Sequence, residues 1–314
     1  MTSGSAPFEQ SYSAETARHT VLASLVPVVG YPLEIWRHRY LVANFFRRDL
    51  LGRFRGSALG LFWVLVHPIF MFAVYYLVFG YLFGNQKVGT APTPEYALYL
   101  FSGVIAFTAL IEGTSRSCTC VIDNGNLVKK VAFPSQLLPV PLILVSLTVY
   151  VVGALVCLGV GLAYGVLQPG WSLLLLPVVL LIQFVMTLGI GLFLANTHVF
   201  SRDTSQLWGI FSAAWMFLTP VFWYPHALEG AVADVIKSLF AWNPAYPLLQ
   251  AHRLVLGAQP VPYTKDVDGA LVERLSDFGN LGDHLLHASL WALAFLFVGY
   301  AVFMSRRHKY ADLV

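Results

Sequence analysis

Charge is scarce in this chain. Only 11% of its 314 residues are Asp, Glu, Lys or Arg, against about 25% in ordinary soluble domains. The hydrophobic share is 57%, and mean hydropathy is +0.68. That much apolar sequence belongs in a bilayer rather than in one large water-bounded core. Cysteine is nearly missing as well. Cys118, Cys120 and Cys157 are too few for a disulfide framework, and the Cys118-Thr119-Cys120 pair is a weak metal signal. The catalytic signatures are missing too: there is no Gly-x-x-x-x-Gly-Lys-Ser/Thr loop, no Gly-x-Ser-x-Gly elbow and no His-Glu-x-x-His site. A chain that moves cargo uphill without a phosphate loop draws its energy from a partner or an ion gradient. Ion-coupled carriers need ionisable groups near the membrane midplane, and the apolar stretches here offer almost none. Glu112 precedes Arg116 by four residues, so the two are expected to pair on one helix face. Gln183 stands alone in its stretch. His284 and His287 are two ligands on one helix, too few for a metal sphere. Neither catalytic nor metal-binding residues are expected.

Six apolar stretches approach the roughly 20 residues that cross a bilayer: 58–83, 96–118, 137–167, 171–199, the short 206–224, and 284–305. Pro68, Pro139, Pro141, Pro177 and Pro220 lie in or near them, where kinks are expected. With the N-terminus inside, every Lys and Arg except Lys87, Lys237, Arg253, Lys265 and Arg274 falls on the cytoplasmic side. By the positive-inside rule both termini are then cytoplasmic. The segment 225–283 is exported. Within it, 239–256 is apolar but broken by Pro244 and Pro247, and reads as re-entrant or interfacial helices. The stretch 257–283 is a polar insert. The predicted fold is an all-α polytopic membrane protein. It comprises a flexible cytoplasmic tail (1–31), an amphipathic interfacial helix (32–56), a six-span domain (57–305) and a cytoplasmic end (306–314).

Large apolar residues recur at helical spacing from Leu33 through Trp36, Tyr40 and Phe45 to Phe54. Arg37, Arg39, Arg47, Arg48, Arg53 and Arg55 supply the polar side. Two readings stay open: a basic flank that only fixes topology, or an interfacial helix whose arginines meet lipid phosphate or a partner. Aromatics are abundant in the first and fifth stretches, including Tyr75, Tyr76, Phe79, Trp215 and Phe222. They form either an interfacial belt or a passage whose rings hold the apolar faces of sugars.

The run Arg48-Asp49, Arg53-Phe54-Arg55-Gly56-Ser57-Ala58-Leu59-Gly60-Leu61-Phe62-Trp63, with Pro68 and Val78-Phe79-Gly80 after it, resembles the type-2 ABC transporter permeases that export polysaccharides. The stretch from Asn126 through Lys129-Lys130 to Phe133-Pro134 is similar to their loop between spans two and three. Trp242-Asn243-Pro244 resembles the start of their re-entrant segment. The likeness is closest to the O-antigen type; capsule and teichoic-acid exporters share the family. The resemblance implies a homodimer joined to two copies of a separate ATP-binding subunit. This chain would bind no cofactor, ATP and Mg being held by that subunit. It implies as cargo a lipid-linked polysaccharide on an undecaprenyl pyrophosphate carrier, handled in the bacterial inner membrane, with membrane lipids but no nucleic acid as further partners. Tyr75, Tyr76, Phe79, Trp215 and Phe222 would border the passage. Arg47, Arg48, Arg53 and Arg55 would grip the pyrophosphate. Asp49, Asp123, Asn126, Lys129, Lys130 and Phe133 would contact the ATPase. Export of a drug or lipid on the same fold is an alternative. So is a polytopic enzyme acting on lipid-linked sugars through Asp266, Asp268 or Glu273, since glycosyl chemistry needs two placed carboxyls.

Overall fold

The computed structural model describes residues 26–314 apart from 54–55, 57, 59, 76, 79–93, 130–132, 169, 224, 226–230, 241, 261, 268–269 and 276. Helices α1 (Tyr31–Arg37) and α2 (Arg39–Gly52) precede α3 (Trp63–Tyr75), α4 (Pro94–Asp123) and the single turn α5 (Gly125–Val128). Next come α6 (Pro139–Ala163), α7 (Leu176–Phe200), α8 (Thr204–Leu218), α9 (Ala231–Phe240) and α10 (Ala245–Val255). A hairpin, β1 (Pro262–Val267) and β2 (Ala270–Leu275), leads to α11 (Leu281–Arg306) and α12 (Tyr310–Leu313).

Four helical segments among the described residues are long and apolar enough to cross a membrane: Glu95–Asp123, Ser135–Ala163, Trp171–Phe200 and Leu281–Leu313. They match the second, third, fourth and sixth expected stretches. Among the described residues the helices of the other two are shorter. Helices α3 and α8 have 13 and 15 residues, or about 20 and 22 Å at the helical rise, against a hydrocarbon core of about 30 Å. The hairpin is an addition to the helical expectation. It occupies the polar insert, where Tyr263, Thr264, Val267 and Val272 suit strands and Pro262 pairs with Leu275.

The prolines do less bending than expected. Pro139, Pro141 and Pro177 lie in the first turns of α6 and α7, where an amide proton has no helical partner to lose. Pro220 follows the end of α8. Of the five, only Pro68 sits inside a helix. The amphipathic segment is also divided. The backbone leaves the helix at His38 and restarts, leaving Leu33, Trp36 and Tyr40 exposed while Tyr31 and Val42 are buried.

Helix α7 is the centre of the bundle and packs against α4, α6 and α11. Its closest neighbour is α11, because glycine meets glycine at the crossing. A Cβ at Gly299 would overlap the Gly189 carbonyl, and one at Gly189 would overlap the backbone of Phe295 and Leu296. Small residues let backbones approach in this way where lipid removes the usual hydrophobic drive between helices. Gly191 likewise faces Ser117 on α4. Gln183, fully buried, donates from Nε2 to the Ala106 carbonyl at 3.0 Å, tying α7 to α4.

Candidate functional site

The segment after α8 is held by a polar knot. Arg253 on α10, within the apolar stretch 239–256 expected to be re-entrant or interfacial, is fully buried. Its guanidinium donates to the carbonyls of Pro220 and Val221 at 3.0 and 3.1 Å and to Gln250 Oε1 at 3.0 Å. It lies over the Tyr99 ring, 3.5 Å from the centroid. The Tyr99 hydroxyl reaches the Pro220 and Trp223 carbonyls, and Tyr96 donates to Phe222. Asn243 closes the knot. Its Oδ1 accepts from Trp215 Nε1 at 2.9 Å and from the Ala245 amide at 3.1 Å, and its Nδ2 donates to Thr219 Oγ1 at 3.0 Å. The Trp-Asn-Pro sequence therefore joins the end of α8 to the start of α10.

Beside the knot, α7, α8, α9 and α11 enclose an open groove of about 830 Å³. Trp208, Phe211, Trp215 and Phe217 line it from α8, with Trp223, Phe240 and Trp242 beyond and Trp291 and Phe295 opposite. The rings interlock: Trp215 meets Phe107 edge-on at 5.5 Å and Phe211 at 5.7 Å. Of the passage aromatics expected from sequence, Trp215 lines this groove. Phe222 is buried next to it, 5.4 Å from Phe217. The Tyr75 side chain, Tyr76 and Phe79 lie outside the described residues.

The arginine-rich end carries the other expected residues. Arg47 and Arg48 are exposed on α2. Arg48 pairs with Asp49 at 3.0 Å and lies over Phe45 at 4.6 Å, while Phe45 contacts Phe133 at 6.4 Å. Arg53 pairs with Glu112 on α4. The expected Glu112–Arg116 pair is thus replaced by a contact between elements that sequence spacing does not relate. Arg116 turns instead to a polar cavity of about 370 Å³ shared with Arg48, Asp49, Thr119, Asp123 and Asn124. Its Nη1 is buried without a hydrogen-bond partner, and Asp123 accepts from Thr119 at 2.6 Å. Asn126 and Lys129 are exposed on and just after α5. Arg55 and Lys130 lie outside the described residues.

Tyr31 anchors α1 at this end. Its hydroxyl donates to the Gln136 carbonyl at 2.6 Å. Burial, with smaller contributions from Tyr300, Glu34 and Cys120, raises its pKa well above the ordinary value, so it stays a donor. At the other end His284 and His287 each turn to a backbone carbonyl, those of Phe278 and Asp283, both at 2.7 Å. Asp266 and Glu273 fall on β1 and β2, and Asp268 lies outside the described residues.

Residues 40–256 match the ABC-2 type transporter family. The chain belongs to this family. Among curated relatives it is similar to the O-antigen export system permease protein RfbA of Myxococcus xanthus. The two are 26% identical over 281 residues, covering 90% of this chain and 98% of the relative. It is also similar to a Klebsiella pneumoniae protein of the same name, 22% identical over 200 residues, covering 63% of this chain and 71% of that one. An ABC-2 transporter chain is a transport permease and a membrane protein, consistent with the apolar helices. In this ABC-2 chain the arginine run and the Trp-Asn-Pro sequence were legible. Arg116, Thr119 and Asn124 were not, because only folding brings them to one cavity with Arg48.

Proposed function

We propose that this chain is the membrane subunit of an ATP-driven exporter that moves a lipid-linked O-antigen polysaccharide out of the bacterial cytoplasm. The observation that carries the proposal is the end-to-end similarity to a permease named for O-antigen export, 98% of which is covered. The absence of a phosphate loop in the sequence supports an ATPase on another polypeptide, which holds ATP and Mg. In this reading two copies of the chain join two ATP-binding subunits in the inner membrane. Helices α3 and α8 complete six spans, α9 and α10 are re-entrant, and α1 and α2 lie at the inner interface with both termini cytoplasmic. Glycan moves past aromatic rings, Trp215 among them. The pyrophosphate carrier meets Arg47, Arg48 and Arg55, while the ATPase meets Asp49, Asp123, Asn126, Lys129, Lys130 and Phe133.

The test is co-expression with the cognate ATP-binding subunit in a strain lacking its own O-antigen permease. A stable complex and restored surface polysaccharide are expected; a purified chain that forms no such complex would end the proposal.

The Arg53–Glu112 pair refines the arginine assignment. It ties the end of α2 to α4, so Arg53 acts as a latch between them. Arg53→Ala and Glu112→Gln should each lower export several-fold with the ATPase complex intact. The exchange Arg53→Glu with Glu112→Arg should restore it, because a partly exposed pair is worth only about 1 kcal/mol and tolerates reversal. An exchange variant as impaired as Arg53→Ala would instead assign Arg53 to the pyrophosphate.

A further inference from the structure

The last residues of the chain are built into the turn assigned above to the ATPase. Helix α5 is a single turn of four residues with no side-chain cap at Asn124 and no buried residue of its own. One isolated turn is unstable, since nucleation fixes several residues for one hydrogen bond. Beyond the end of α4, its support comes from 310–314. A Cβ at Gly125 would fall 2.5 Å from Val314 Cγ1, so the bare glycine is what seats the valine. Tyr310, at the other end of the segment, is fully buried. Its hydroxyl lies 3.0 Å from Asn196 Oδ1 on α7 and 3.3 Å from the Phe303 carbonyl on α11. Its ring meets Phe303 edge-on at 5.0 Å and Phe200 at 6.3 Å.

We propose that residues 310–314 are a brace that holds the α5 turn in the shape the ATP-binding subunit recognises, and links that turn to α7 and α11. The proposal rests on the reading that α5 and Lys129 contact the ATPase. Besides its link to α4 through Asn124, the turn reaches the bundle through packed side chains, and Val314 and Tyr310 form such a chain. It leads to the two helices that cross at Gly189 and Gly299.

The experiment co-expresses the full-length permease with its ATP-binding subunit and compares Val314→Asp, Gly125→Val and Lys129→Glu by co-purification. Val314→Asp and Gly125→Val should reduce the ATPase recovered at least tenfold while the permease alone still elutes as one species. If both retain it within twofold while Lys129→Glu loses it, the brace is wrong and the docking assignment stands. If all three retain it, both are wrong. Hydrogen exchange of the permease alone gives a second readout, using the milder Val314→Ser. Amides of 124–129 should exchange at least tenfold faster than in the parent, with α7 unchanged; equal exchange overturns the brace even if complex yield has fallen.

Discussion

Replacing Arg253 with methionine is expected to lower the melting temperature of the permease by several degrees. Among the described residues the arginine is held by carbonyls, an amide oxygen and a ring face. Its removal orphans the Val221 carbonyl and Gln250 Oε1 in the interior. An unsatisfied buried acceptor costs about 1–3 kcal/mol, and the unfilled volume adds to this. A combined loss near 4 kcal/mol corresponds to a fall in Tm of about 6 °C for a chain of this size. Arg253→Lys should be intermediate, because an ammonium reaches one carbonyl but cannot span Pro220, Val221 and Gln250 as a planar fork does. Thermal unfolding of the purified protein, followed by fluorescence, checks both. Wild-type stability in the methionine variant would mean that the turn after α8 holds its shape without the arginine.

Gly299→Val and Gly189→Val should be as damaging for the opposite reason. Overpacking a core costs typically about 1–3 kcal/mol when neighbours can shift. Here the overlapping atoms belong to the backbone of the facing helix, which moves only if α7 and α11 separate. Even Gly299→Ala should lower the yield of monodisperse protein severalfold. Gly159→Ala on α6 is the control. Nothing lies within 4 Å of its Cβ position, and alanine favours a helix by about 1 kcal/mol over glycine, so unchanged or slightly raised stability is expected. Size-exclusion yield separates the two outcomes.

These two sites mark where sequence stopped being informative. The apolar stretches located α4, α6, α7 and α11, because crossing a bilayer imposes a length and a polarity that composition records directly. The short α8 was also visible as a short stretch. The burial of Arg253 left no mark in the sequence, because its partners Pro220 and Val221 come from a turn thirty residues away and its stacking ring from α4. Glu112 was paired with Arg116 for a related reason: helical spacing favours the neighbour on the same face, and the tertiary partner Arg53 left no local trace. Glycine is common in membrane helices, so Gly189 and Gly299 could not be singled out among the 25 glycines of the chain. The arginine run and Trp-Asn-Pro were legible because their residue types are unusual where they stand, but the cavity shared by Arg48 and Arg116 required the approach of α2 to α4.

The groove has an optical consequence. Five of the eight tryptophans, Trp208, Trp215, Trp223, Trp242 and Trp291, line that one space. Intrinsic emission of the unlabelled protein is therefore weighted toward the groove. Hydration, a sugar polymer or a hydrocarbon tail entering it would each shift the emission maximum differently. With Trp36, Trp63 and Trp171 replaced by phenylalanine, the transporter would carry its own spectroscopic probe of what occupies the space during a turnover.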